Sequence, residues 1–173
     1  MIHHCKTIGA VGIAAASAIA SALIAVPALA TPPVGTWAPV SISVGSIDDL
    51  TIMADKNDKW DIMAKAKGLT DLRVTRVPFA VGTSSGWHSH PGPNLLTVRV
   101  GTVYVYEGPL CTGTPYSAGQ TWSDNGGSHV HLVRNQSATV AAEVIAVALY
   151  PHGVTPITDS NIPRPNNCGP TIL

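Results

Sequence analysis

Short runs with an apolar residue at every second position dominate the sequence between residues 50 and 149. A repeat of two places alternate side chains on opposite faces of an extended strand, whereas an amphipathic helix needs a repeat near 3.6. Glycine, proline and asparagine separate the runs at short intervals. We therefore predict an all-β sandwich or barrel of about eight short strands. The predicted strands are residues 50–53, 60–66, 72–79, 95–100, 102–106, 129–133 and 139–149.

The segment 46–66 is the one place where a helix is a competing prediction. Asp48 and Asp49 would suit a helix start. The polar stretch 55–58 interrupts any long amphipathic face. We therefore predict strands in this segment as well.

The N-terminal stretch has the pattern of a secretory signal. Lys6 precedes an apolar, uncharged segment at 7–26, and Ala28 and Ala30 then provide the small residues that a signal peptidase requires. We predict cleavage after Ala30, a secreted product and no membrane anchor after cleavage. An uncleaved anchor is the alternative, because the apolar stretch approaches the length that spans a bilayer.

The charge of the predicted mature chain is close to zero. Removing Lys6 from the 10 Lys and Arg leaves 9, against 10 Asp and Glu. Nucleic acids and anionic membranes bind concentrated basic surfaces. The composition therefore indicates no nucleic-acid partner.

Cys111 and Cys168 are the cysteines that remain after Cys5 leaves with the signal. An even pair in an oxidising compartment predicts a disulfide, which would hold the C-terminal tail against the barrel. The alternative is that one of them is a metal ligand or a reactive thiol.

The predicted organisation is a single domain. Residues 1–30 form the signal, 31–70 an arm with leading strands, 71–152 the barrel core, and 153–173 a disulfide-tethered tail. Exposed strand edges need cover, so the arm could pair with a neighbouring copy in a homodimer.

Two His-x-His pairs are the strongest functional signal. Five histidines lie outside the signal, and four of them form the pairs His88–His90 and His129–His131. Residues two apart on a strand project from the same face, so each pair can direct two imidazoles into one space. Imidazole nitrogens bind Fe, Mn, Zn, Ni and Cu, so we predict one divalent metal ion of unspecified identity. The alternative is a set of hydrogen-bonded or surface histidines.

The first pair lies in a segment that resembles the first motif of the cupin superfamily. Gly82, His88, His90 and Gly101 match the spacing Gly-x5-His-x-His-x3-Glu-x6-Gly, with Asn94 at the glutamate position. The resemblance implies a double-stranded β-helix, or jelly-roll, barrel with a metal ion in its mouth. Asn94 would be a weaker, neutral ligand than glutamate; its alternative role is that of a turn residue.

The second cupin motif is matched in part, and two registers compete. His131 is followed by Asn135 in the His-x3-Asn spacing, whereas His129 has Gly126 three residues before it. We prefer His131 as the third metal ligand. His129 is either its competitor or a fourth ligand in the place of the glutamate.

Aromatic residues beside the motifs are candidates for the wall of a ligand cavity. Trp87, Tyr104, Tyr106 and Trp122 alternate with the motif residues. Aromatic residues of a β-barrel are more often part of its core, and that is the alternative for each.

Charged residues and the fifth histidine receive provisional roles. Arg99 or Arg134 could anchor an anionic ligand, although a strand arginine is usually solvated. Asp124 could orient a histidine or serve in a turn. We place Glu107 at a strand end outside the site, and His152 at the surface.

Two functions remain open from the sequence. One is a metal-dependent, dioxygenase-like cupin that acts on a small organic molecule. The other is a non-catalytic ligand-binding or structural cupin with a degenerate metal site, which the missing glutamate favours. The fold does not decide between them, because one barrel can host many activities.

Overall fold

The computed structural model describes residues 33–35, 37–57, 59–108, 110–157 and 162–169. The predicted signal at 1–30 and its cleavage after Ala30 lie outside these residues.

Ten β-strands and no helix make up the regular structure of the described residues. No helix among them is long and apolar enough to cross a membrane. The strands are β1 (Val40–Ile47), β2 (Thr51–Asn57), β3 (Trp60–Lys65), β4 (Thr70–Phe79), β5 (Asn94–Val100), β6 (Thr102–Glu107), β7 (Gly113–Ser117), β8 (Thr121–Asp124), β9 (His131–Arg134) and β10 (Ala142–Pro151).

Two antiparallel sheets enclose the core. One has the strand order β1-β4-β10-β5-β8, and the other has the order β7-β6-β9. Val98 and Val144 from the first sheet pack in one buried cluster with Val103, Val105 and Val133 from the second. Burying branched apolar side chains between two sheets is the main source of stability in such a barrel. The predicted all-β class is confirmed.

The β2–β3 hairpin forms a two-stranded sheet of its own. Met53 and Met63 pair across it and are more than 70% exposed, so the hairpin packs little of its apolar surface against the barrel. The strand prediction for this segment is confirmed over the helix alternative.

Two strands differ from the sequence prediction, and a third lies within the predicted arm with its leading strands. Residues 40–47 of that arm form an edge strand that pairs with β4. The sequence did not indicate β7 and β8, because β7 contains Pro115 and β8 has only four residues. Proline is tolerated in β7 because it is an edge strand.

The predicted disulfide between Cys111 and Cys168 is confirmed, with Cα atoms 5.1 Å apart. Cys168 is buried in a second cluster with Trp87, Tyr106 and Leu132. The bond therefore fixes residues 162–169 against the three-stranded sheet.

Candidate metal centre

The centre is built where the segment of the first histidine pair meets the start of β9. The backbone NH of His88 donates to the carbonyl of His131 (3.0 Å), and the NH of His131 donates to the carbonyl of His88 (3.1 Å). This bridge brings the rings of His88 and His131 to a centroid distance of 4.4 Å, and His90 lies 4.8 Å from His88. One ring nitrogen from each of the three histidines lies within 4.8 Å of the other two.

Backbone carbonyls fix the tautomers of the first pair. Nδ1 of His88 lies 3.0 Å from the carbonyl oxygen of Gly86, and Nδ1 of His90 lies 2.8 Å from that of Pro156. A carbonyl only accepts hydrogen bonds, so each neutral ring carries its proton on Nδ1 and has a free lone pair on Nε2. Metal-bound histidines are commonly held by such a bond through the other ring nitrogen.

His131 is buried without a hydrogen bond to either ring nitrogen among the described residues. Its side chain is 1% exposed, and its Nδ1 lies 3.8 Å from Oδ1 of Asp124, beyond hydrogen-bond distance. A buried polar group without a partner is costly, and a metal ion on an imidazole nitrogen would satisfy it. The three residues therefore fit a metal ion.

Burial keeps the three rings neutral. Desolvation lowers the pKa of His88 to about 4 and also lowers the pKa values of His90 and His131, that of His131 by a large amount. Neighbouring histidines lower these pKa values further. Metal ions bind the neutral imidazole, so at neutral pH no proton has to be displaced.

His129 lies beside the three histidines rather than among them. Its Nδ1 is 2.6 Å from Oδ1 of Asp124, and its Nε2 is 2.5 Å from Oε2 of Glu107. With Asp124 and His131 it forms a second group of possible ligands. The structure thus groups His131, the preferred residue, with His88 and His90, and both nitrogens of His129 face carboxylates.

Glu107 belongs to the neighbourhood of the site, and its predicted separation from the histidines is wrong. It is the last residue of β6 and is paired with His131 in the sheet. Burial raises the pKa of its carboxyl, and His129 opposes that shift. The pairing of β6 with β9 creates this contact, and no sequence motif signalled it.

Asp124 combines the two roles considered for it. Its carboxylate accepts hydrogen bonds from Nδ2 of Asn94 and from the backbone NH of Gly126, both at 3.0 Å. The Gly126 bond is the turn role, and the His129 contact is the orienting role. The side chain is only 2% exposed, so these partners account for a buried charge.

Asn94 is the buried first residue of β5. Its Oδ1 accepts a hydrogen bond of 2.6 Å from the hydroxyl of Tyr150, and its Nδ2 also donates to the Gly92 carbonyl at 3.3 Å. The amide oxygen considered as a metal ligand therefore already accepts one hydrogen bond, while the bond to Gly92 is of the kind expected for a turn residue. Sequence reasoning missed Tyr150, whose pKa burial raises to about 12.

A cavity of about 340 Å³ opens beside the histidines. Of the predicted wall residues, Trp122 lines it. Trp87 is fully buried in the second cluster and Tyr104 packs against that cluster, and neither lines this cavity. The alternative, a core position, applies to Trp87. Trp37 also lines the cavity and was missed, because its segment was assigned to an arm.

The proposed anion anchors lie elsewhere. Arg99 is more than half exposed and forms an ion pair with Glu143, and neither Arg99 nor Arg134 lines the cavity. His152 is at the surface, as predicted, where its Nδ1 contacts Oδ1 of Asp71 at 2.8 Å.

No protein-family model and no curated protein sequence matches this chain. Its structure is similar to that of a cupin superfamily protein from Desulfitobacterium hafniense, with 11% identity and a TM-score of 0.41 over 64% of this chain and 81% of the other. It is also similar to a predicted oxalate decarboxylase from Thermotoga maritima (20% identity, TM-score 0.38, 49% of this chain and 83% of that one). A protein of unknown function from Rhizobium leguminosarum bv. viciae has 15% identity and a TM-score of 0.45 over 68% of this chain and 84% of the other. Likenesses of this size carry no information about the activity or ligand of this chain.

Proposed function

We propose that this protein is a secreted, cupin-type protein that binds one divalent metal ion through His88, His90 and His131. The observation that carries the proposal is the convergence of the buried rings of His88 and His131 with the half-buried ring of His90. In His88 and His90 the carbonyl-bound Nδ1 leaves Nε2 free, and the ring nitrogens of His131 have no hydrogen-bond partner among the described residues. The motif spacing of the sequence supports the same three residues.

The proposed coordination sphere has open positions. Three neutral nitrogen ligands suit Fe, Mn, Zn, Ni or Cu. Asn94 stands where the cupin motif has glutamate, and its oxygen is bound by Tyr150. Water or an organic ligand would complete the sphere.

A bound ion would supply Lewis-acid or redox chemistry at the cavity wall. Tyr150 and Asn94 would position a ligand there, since both line the cavity and hydrogen-bond each other. We propose a dioxygenase-like reaction on a small organic molecule as the first function. Non-catalytic ligand binding is the second, and it is favoured by the observation that no Asp or Glu lines the cavity among the described residues.

The proposed secreted location is supported by two features. One is the signal pattern that ends at Ala30, and the other is the disulfide between Cys111 and Cys168. Disulfides persist mainly in oxidising compartments. N-terminal sequencing of the exported protein tests it, with Thr31 as the expected first residue.

Elemental analysis tests the metal proposal. The mature protein, purified without a metal-affinity tag, should contain one ion per chain, and His131→Ala should contain none. His152→Ala is the matched control, because His152 is exposed and belongs to neither group of possible ligands. Dioxygen uptake with phenolic compounds would favour the enzyme; a metal-free wild-type protein after dialysis against each of the five ions would refute the metal site.

A further inference from the structure

The cavity beside the histidines changes from polar to apolar along its length. On β10, alternate residues Tyr150, Ala148, Ala146 and Val144 all line it. Alternate residues of a strand share a face, and six residues of strand extend about 20 Å. Tyr150 contacts His90 and Asn94 at the polar end, while Val144 is part of the buried apolar cluster.

The neighbouring strands repeat this gradient in register. On β10, Ala148 is paired with Asn94 of β5. Ala146, two residues further from Tyr150, is paired with Leu96 of the same strand. Leu96 is in turn paired with Trp122. The wall is therefore polar in the layer nearest the histidines and mainly apolar in the next, where Thr75, paired with Ala146, is the exception.

Small side chains create the space. Ala146 and Ala148 occupy central positions of β10 where larger residues would fill a barrel core. Phe79, Trp37 and Trp122 surround the same space. Aromatic and aliphatic walls of this kind favour flat or compact apolar ligands.

Charge is absent from the wall of the cavity. No Lys, Arg, Asp or Glu lines it within the part of the chain that the structure describes. Arg73 lies two residues before Thr75 on β4 and therefore on the same face of that strand. Its guanidinium, however, donates to Asp71 (3.1 Å) and to the Val154 carbonyl (3.3 Å). A ligand with charges at both ends would leave one of them buried without a partner, which is costly.

We infer that the cavity takes a compact hydrophobic molecule whose oxygen atoms are confined to one end, which faces the histidines. Small polyanions and sugars do not fit this description. The inferred orientation of the ligand rests on the proposed function, namely the metal site. The inferred apolar character of the ligand rests only on the residues that line the cavity.

Calorimetric titration of the metal-loaded protein tests the inference with three probes: 4-ethylphenol, glucose and oxalate. We expect saturable binding of 4-ethylphenol and weaker binding of the other two. Ala146→Phe should weaken 4-ethylphenol binding by on the order of tenfold or more, because the new ring occupies the ligand space. Val147→Phe is the matched control, since Val147 is the next residue of β10 and faces outward.

Ala146→Leu provides a milder filling substitution if Ala146→Phe does not fold. The inference is overturned if 4-ethylphenol does not bind, if oxalate or glucose binds more tightly, or if the folded Ala146 variant binds 4-ethylphenol as the wild type does. Metal content measured on the same samples separates the two proposals. A bound ion without 4-ethylphenol binding overturns this inference alone, whereas 4-ethylphenol binding without an ion supports it and overturns the proposed function.

Discussion

The two His-x-His pairs are the same pattern in the sequence but different structures. In the first pair, the Nδ1 atoms of His88 and His90 face backbone carbonyls, and both rings join one cluster. In the second pair, only His131 joins that cluster, while His129 lies between Asp124 and Glu107. Backbone carbonyls at Nδ1 leave Nε2 of His88 and His90 free for a metal ion, whereas carboxylates face both ring nitrogens of His129.

The largest expected effect separates the two members of the second pair. His131→Ala should abolish metal binding, because it removes one of three proposed ligands. His129→Ala should retain one ion per chain with at most about a 100-fold loss of affinity, as is typical for residues that act around the ligands. Competition against a chromogenic chelator measures both, and equal loss in the two variants would contradict the distinction drawn between the pairs.

The next effect concerns the disulfide-linked tail, whose Pro156 carbonyl lies against Nδ1 of His90. The double substitution Cys111→Ser and Cys168→Ser removes the disulfide, which joins two residues separated by 57 positions in the sequence. The chain-entropy model gives a loss of about 4 kcal/mol in the free energy of unfolding. Urea denaturation measures it under oxidising conditions, with the wild type in reductant as a second comparison. The metal stoichiometry should stay at one, because the backbone bridge between His88 and His131 does not involve the tail.

The pH dependence of stability tests the buried, neutral state of the first pair. In the metal-free protein, folding lowers the pKa of His88 to about 4, from 6.5. Between these values the unfolded chain binds more protons, so stability should fall as the pH falls from about 6.5 to about 4, by up to roughly 1.4 kcal/mol per pH unit for each such histidine. His88→Gln should flatten the curve, and an unchanged slope would mean that His88 is not the titrating group.

The smallest expected effect addresses the carboxylate side of the second pair. Asp124→Asn keeps the size of the side chain but removes the charge that faces His129 and His131. It should lower metal affinity by about 10- to 100-fold, as the loss of an orienting partner usually does. Asp61→Asn is the control, because Asp61 is exposed on the β2–β3 hairpin. A loss as complete as that expected for His131→Ala would identify Asp124 as a direct ligand.

Sequence reasoning was most successful where local pattern decides structure. Period-two runs predicted the all-β class, and the motif spacing selected His88, His90 and His131 as the group that the structure assembles. It failed where the pairing between strands determines which residues lie close together. The alternating pattern predicted a strand that includes His129, but β9 begins only at His131.

Residues remote in sequence account for the other misses. Glu107 reaches His129 through the pairing of β6 with β9, and Tyr150 reaches Asn94 across the pairing of β10 with β5. Trp87 was considered for the cavity wall because it alternates with the motif residues. Neighbouring residues of an extended chain point to opposite sides, so this position directs Trp87 to the second cluster.

The hydrogen bond between His90 and the Pro156 carbonyl has a consequence for biosynthesis. Residues beyond β10 must leave the ribosome before that bond can form, and Cys168 must follow before it can join Cys111. A nascent chain that contains all ten strands still lacks this support for His90. Full support of the proposed centre therefore waits until the residues after β10 have folded back against it, and the compartment in which that step occurs determines which ions the site meets.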